Sequence, residues 1–126
     1  MIADTTFLSD YHHELEGRPG RGPAHAFLAA HRRQRVLMTV ISLGELAVIF
    51  DSNQAAREFT GHYRVLRLAP EIALTAADMD RELIAQGARL GENDNWIAGF
   101  CRYYGQPIIS RDTAFDRVRG LRRLVY

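Results

Sequence analysis

The sequence predicts an α/β fold: one domain in which a mainly parallel central sheet of four to five short strands is flanked by helices. Three observations predict it. Short apolar runs of strand length alternate with longer stretches whose apolar residues recur every three to four positions, as strand–helix–strand units require. The 126 residues, 47% of them hydrophobic, suffice for one core and leave no room for a second of ordinary size, so residues 1–126 read as a single domain. No internal repeat, low-complexity tract or interdomain linker breaks the pattern.

Residues 1–3 form a minimal first strand, and residues 5 to about 15 read as a helix. The helix ends at the glycine/proline run of residues 17–23, the one clear flexible loop. Pro23 suits the first turn of a second helix reaching about residue 33, because its φ is already helical and it has no amide hydrogen to leave unpaired. Residues 36–38 are a short buried strand leading into a helix from 42 to about 51. A helix over 53–63, a strand over 65–68 and a long helix over 70–90 follow. Residues 93–104 form an amphipathic helix, residues 107–110 a fourth strand, and residues 121–126 alternate in the manner of an edge strand.

Composition removes several function classes. One cysteine, Cys101, excludes an internal disulfide and a multi-cysteine zinc site, and its apolar surroundings predict an inert buried thiol. No apolar run reaches the roughly 18 to 20 residues that cross a bilayer, and Asp4 stands where a signal peptide would be apolar, so a soluble, cytoplasmic protein without membrane contact is expected. The net charge of +1 gives no overall pull toward nucleic acid, yet all 16 basic residues are arginine, whose planar fork suits phosphate as well as carboxylate. From residue 102 onward Arg102, Arg111, Arg117, Arg119, Arg122 and Arg123 face only Asp112 and Asp116, a local excess of four positive charges. That segment is either a basic face or ordinary solvated surface.

The carboxylates are more informative, because several fall just beyond the carboxyl ends of predicted strands, where open α/β sheets bind ligands. Asp4 follows the first strand, and Asp112 comes shortly after the apolar pair Ile108 and Ile109. Glu45 lies one turn after Ser42 on the helix that follows the second strand, and Asp94 stands in the first turn of the 93–104 helix. Four acids from four distant segments are thereby directed to one edge. Packed at short range they would raise one another's pKa values, a conflict that a divalent cation relieves. Hard carboxylate oxygens suit Mg2+ or Mn2+. Taken singly, each acid has a structural alternative: Asp4 and Asp94 as helix caps or first-turn dipole partners, Glu45 as a surface residue and Asp112 as part of a turn.

The four segments, taken in order, resemble the PIN-domain family. Asp4-Thr5-Thr6-Phe7-Leu8 is similar to the family's opening block, and Ser42-Leu43-Gly44-Glu45-Leu46-Ala47 to its serine-to-glutamate helix. Asn93-Asp94-Asn95-Trp96-Ile97-Ala98 is similar to its aspartate followed by Ile-Ala, and Ile108-Ile109-Ser110-Arg111-Asp112-Thr113-Ala114-Phe115 to its strand, hydroxyl, acid and aromatic block. Among family members the chain looks most like a VapC-type toxin. The resemblance implies a metal-dependent endoribonuclease, the toxin of a toxin–antitoxin pair, that dimerises and is silenced by a small antitoxin. It further implies catalytic Asp4, Glu45, Asp94 and Asp112, with Asp4, Asp94 and Asp112 as ligands of Mg2+ (or Mn2+), Thr5 and Ser110 as orienting hydroxyls, and RNA as substrate. Glu92 and Asp116 are rival ligands, and Arg111 either holds phosphate or neutralises the acids. A catalytically silent PIN fold that binds or regulates, and a DNA-directed nuclease, are the alternatives.

Other candidates fall away. A haloacid-dehalogenase-type site wants a second aspartate where Thr6 stands, and a lysine-free chain without a glycine-rich phosphate loop offers no nucleotide-binding module. Adjacent His12 and His13 cannot face one site from a helix, and His25, His31 and His62 lack metal spacing. Trp96, Tyr103 and Tyr104 are assigned to core or dimer packing rather than base stacking, and Glu71, Asp78, Asp80 and Glu82 to a solvated helix face.

Overall fold

Five strands lie side by side in the order β3-β2-β1-β4-β5, and every pairing is parallel. They are β1 (Ile2–Ala3), β2 (Leu37–Thr39), β3 (Arg64–Leu66), β4 (Ile108–Ile109) and β5 (Arg123–Leu124). The computed structural model describes residues 1–17 and 22–126, so the loop predicted over 17–23 falls largely outside the described residues. Among the described residues six helices connect the strands: α1 (Thr5–Gly17), α2 (Pro23–Ala30), α3 (Val40–Ala47), α4 (Asn53–Thr60), α5 (Pro70–Ala85) and α6 (Glu92–Tyr104).

Side-chain alternation along the strands builds two cores. Ile2 and Ile108 point to one face, where Ile72, Met79, Leu83, Ile97 and Phe100 of α5 and α6 cover them. Ala3 and Ile109 point to the other, against Phe7, Leu8, Phe27, Met38 and Leu46 from α1, α2, β2 and α3. Both residues of β1 are completely buried, as two-sided cover of a parallel sheet demands. Cys101 belongs to the first core, and burial pushes its thiol up to about 12, in keeping with an inert thiol.

Element boundaries depart from the sequence reading where local hydrogen bonds compete. α3 starts at Val40 rather than at 42, because the Thr39 hydroxyl accepts the Ser42 amide at 3.0 Å and caps the helix. It stops at Ala47, and a turn leads to Ser52, whose hydroxyl accepts the Ala55 amide at 3.2 Å and starts α4. α5 ends at Ala85, not at 90, where Gly87 takes a left-handed φ of 64°. Leu90 is nevertheless buried, which is why the apolar periodicity overshot the helix. A 3-10 turn over Thr113–Arg117, unforeseen in the sequence, places Phe115 in the core. Tyr103 and Tyr104, assigned from sequence to core or dimer packing, are 46% and 43% exposed at the end of α6 and so lie outside the core.

Helices α5 and α6 approach so closely at Gly99 that a Cβ there would sit 2.6 Å from the Ala76 Cβ. Gly99→Ala is expected to cost about 1–3 kcal/mol by overpacking. Adding Ala76→Gly should recover most of that loss apart from the roughly 1 kcal/mol that a helical glycine costs. A double variant less stable than Gly99→Ala in urea denaturation would show that this contact does not set the helix spacing.

Candidate active site

Because all strands run the same way, the segments leaving β1, β2 and β4 emerge on one edge, and each delivers a residue expected from the sequence. Asp4 leaves β1 directly; it is 4% exposed, and its Oδ1 accepts the Phe7 amide at 2.6 Å. It therefore does cap α1, as its structural alternative held, while facing the site. The Ser110 hydroxyl, at the end of β4, lies beside the same carboxylate, whose pKa it lowers, and accepts the Asp112 amide at 3.0 Å. Ser110 thus stands between the first acid and the fourth, and it is wholly buried.

Glu45 is reached from α3, which Thr39 starts immediately beyond β2. Both its oxygens are held: Thr5 Oγ1 donates to Oε2, and Asn93 Nδ2 donates to Oε1 at 2.7 Å. Thr5 is thus an orienting hydroxyl for Glu45, and Asn93 is an orienting amide that residue type and spacing did not single out. Asp94 stands half-buried in the first turn of α6. A Cβ on the neighbouring Gly91 would come within 3.1 Å of its Oδ2. Asp112 is exposed, and its Oδ1 accepts the Ala114 amide at 2.7 Å, so it also caps the 3-10 turn.

The acids sense one another. Burial, and then the charges of Asp94 and Asp10, push the Asp4 carboxyl up to about 6 against the pull of its Ser110 and Phe7 hydrogen bonds. Burial, followed by the charges of Asp112 and Glu45, likewise holds Asp94 above the ordinary carboxylate range. The expected ligand trio of Asp4, Asp94 and Asp112 does not close into a cage, however. Among the described residues no three His, Cys, Asp or Glu side chains converge as a metal-holding group. One oxygen each of Asp4 and Asp112 is engaged by the Phe7 and Ala114 amides, and Glu45 is tethered from both sides.

The rival ligands have other neighbours. Asp116 is engaged by Nε and Nη2 of Arg123 at 2.8 and 2.7 Å, which holds its pKa down. Glu92 lines a small cavity with Asp80 and Arg89. Arg111 does not pair with the site acids. It forms an ion pair with Asp10, and its guanidinium carbon lies 4.9 Å from the centre of the Tyr126 ring, while the Tyr126 hydroxyl donates to Asp10 at 2.6 Å. Asp10 was missed because its role depends on residues 111 and 126, more than a hundred positions away.

With a folded-state pKa above its unfolded value, Asp4 favours folding most below about pH 4 and loses that contribution as the pH rises through about 6. In chelator, Asp4→Asn is accordingly expected to stabilise the protein at pH 7.5 by about 1–3 kcal/mol, with the gain vanishing near pH 4. Thermal melts of both proteins across that range test it, and equal stability at pH 7.5 would refute it.

A profile of the PIN domain matches residues 1–121. Among solved structures, the chain is similar to VapBC2 from Rickettsia felis bound to a promoter DNA fragment, with a TM-score of 0.80 and 14% identity over 99% of this chain and 97% of that one. It is also similar to VapBC-1 from nontypeable Haemophilus influenzae, with a TM-score of 0.77 and 23% identity over 98% and 96% of the two chains. FitAcB from Neisseria gonorrhoeae gives a TM-score of 0.77 and 17% identity over 98% and 95%. No curated protein sequence is significantly similar to it. At these identities the solved structures establish the fold, and the profile, spanning nearly the whole sequence, establishes that the chain belongs to the PIN-domain family.

Proposed function

We propose that this PIN domain is a metal-dependent endoribonuclease and the toxin of a toxin–antitoxin pair. The observation that carries the reading is the electrostatic conflict at the strand ends: Asp4 and Asp94 are held above ordinary carboxylate behaviour by burial and by neighbouring acids, and among the described residues no basic side chain is bonded to either. Such a set of hard oxygen donors fits Mg2+ or Mn2+, ions that keep several waters and need only one or two carboxylates from the protein. Asp4 and Asp94 would hold the ion, with Asp112 beside them. When bound, it would supply Lewis-acid stabilisation of charge at the scissile phosphate and lower the pKa of water.

The chain's own residues do the rest. Ser110 accepts the Asp112 amide and stands beside the Asp4 carboxylate, between the acids that follow β1 and β4. Thr5 and Asn93 hold Glu45 with lone pairs still free on each oxygen, where it can take the proton of an attacking water. The solved relatives are two-component complexes, which supports a small antitoxin as partner. Exposed Val40, Val48 and Ile49, on and just beyond α3, are apolar surface that such a partner or a second copy of the chain in a homodimer would cover. No helix among the described residues is long and apolar enough to cross a membrane, and a cytoplasmic site of action belongs to the same proposal. One observation favours a second reading: the acids do not converge as a cage, as a catalytically silent PIN-fold binding module would allow.

Incubation of total cellular RNA with purified protein decides between them. Discrete fragments are expected from the wild type with Mg2+ or Mn2+ and none with chelator or from Asp94→Asn; no cleavage by folded, partner-free wild type would move the assignment to the silent module. Thr5→Val, which frees Glu45 on one side, should lower the cleavage rate about 10- to 100-fold without lowering the melting temperature. An unchanged rate would remove Thr5 from the machinery.

A further inference from the structure

The end of the sheet opposite the carboxylates gathers charge of the other sign. In matched parallel register Ile2 lies beside Leu37 and Ile108, Leu37 beside Arg64, and Ile108 beside Arg123, so the segments entering the strands share one edge. Those segments carry Arg32, Arg33 and Arg35 before β2, Arg64 at the start of β3, and Arg119 and Arg122 before β5, all of them exposed. None of the six takes part in an ion pair among the described residues, whereas Arg81, Arg89, Arg102, Arg111 and Arg123 each hold a carboxylate. Adjacent strands are about 4.8 Å apart, so the edge is roughly 19 Å wide. Four of the six guanidinium groups belong to β2 and β3 at one end of that edge and two to β5 at the other, so it presents two basic clusters that a strand of several phosphates can bridge.

The edge is also concave and partly aromatic. Arg35, His62, Tyr63 and Arg64 line a cavity of about 450 Å³, and Arg102, Arg119 and Arg122 line another of about 320 Å³. Tyr103 and Tyr104, both exposed, stand at the end of α6 directly before Gly105 and Gln106, which line the second cavity. Guanidinium groups that fork onto phosphate, beside aromatic faces that can stack bases, are what single-stranded nucleic-acid surfaces combine. Recesses on either flank suit a flexible strand better than the flat plane of a lipid headgroup layer.

We propose that this arginine edge binds the phosphate backbone of single-stranded RNA, as a contact surface separate from the carboxylate site. Only the choice of RNA as occupant rests on the ribonuclease reading. The test is fluorescence anisotropy with a labelled oligouridylate of about 20 nucleotides, in chelator and on the Asp94→Asn background so that cleavage plays no part. Arg33→Gln/Arg35→Gln/Arg64→Gln is expected to weaken binding at least tenfold near 100 mM salt and to reduce the slope of log affinity on log salt by about 2, roughly 0.7 for each phosphate that is no longer neutralised. Tyr103→Ala/Tyr104→Ala should weaken binding about tenfold and leave that slope unchanged. The charge-matched control Arg81→Gln/Arg89→Gln/Arg117→Gln should change affinity less than about twofold. Equal weakening by the control, or none by the edge variants, overturns the proposal. So does an edge variant that keeps its affinity for RNA while failing to bind phosphatidylserine vesicles, which would make the edge a membrane contact. RNA bound through this edge by a protein that cleaves none would defeat the ribonuclease reading alone; cleavage with unaltered binding by the edge variants would defeat this one alone.

Discussion

The two buried residues of β1 are the constraint on which everything else in the molecule hangs. Ile2 and Ala3 pair in parallel with β2 on one side and β4 on the other, and their alternating side chains enter the two cores. So short a strand has little stability of its own; burial on both faces and pairing along both edges maintain it. Its direction decides where Asp4 emerges. Its neighbours, running the same way, decide that α3, with Glu45, and the Ser110–Asp112 segment emerge beside it. Had one of these strands run antiparallel, its acid would lie at the opposite end of the sheet.

Parallel alignment therefore sorts charge as well as topology. Asp4, Glu45, Asp94 and Asp112 collect where the strands end, and six arginines without an ion-pair partner among the described residues collect where they begin. A net charge of +1 conceals this separation. The arginines nearest the C-terminus, which by count form a basic segment, divide by what they touch: Arg111 and Arg123 serve as partners for Asp10 and Asp116, Arg102 holds Glu82, and Arg119 and Arg122 stay exposed to solvent.

Stability and chemistry pull against each other at the carboxylate edge. Asp4 is both a helix cap and a buried, destabilised acid; the Phe7 amide and Ser110 hydroxyl offset part of the desolvation that burial imposes. Structural and functional roles are thus compatible in one side chain, because a carboxylate has lone pairs enough for a cap and a ligand at once. The same holds for Asp112, which caps the 3-10 turn through one oxygen.

Periodicity and composition determined the fold class and the order of helices and strands, because apolar spacing follows directly from which faces must be buried. The motif residues likewise marked Asp4, Glu45, Asp94 and Asp112 as belonging to one edge. Helix ends escaped that reading, since Thr39, Ser52 and Gly87 act through individual hydrogen bonds and one left-handed backbone angle rather than through periodicity. So did the partners Asn93 and Asp10 and the diversion of Arg111. Sequence by itself determined which residues follow each strand, because apolar spacing marks the strands and the alternation of strand with helix predicts parallel pairing. Only the tertiary structure decided what each of them touches there, because hydrogen bonds and charge interactions act over a few ångströms between residues that chain order leaves far apart.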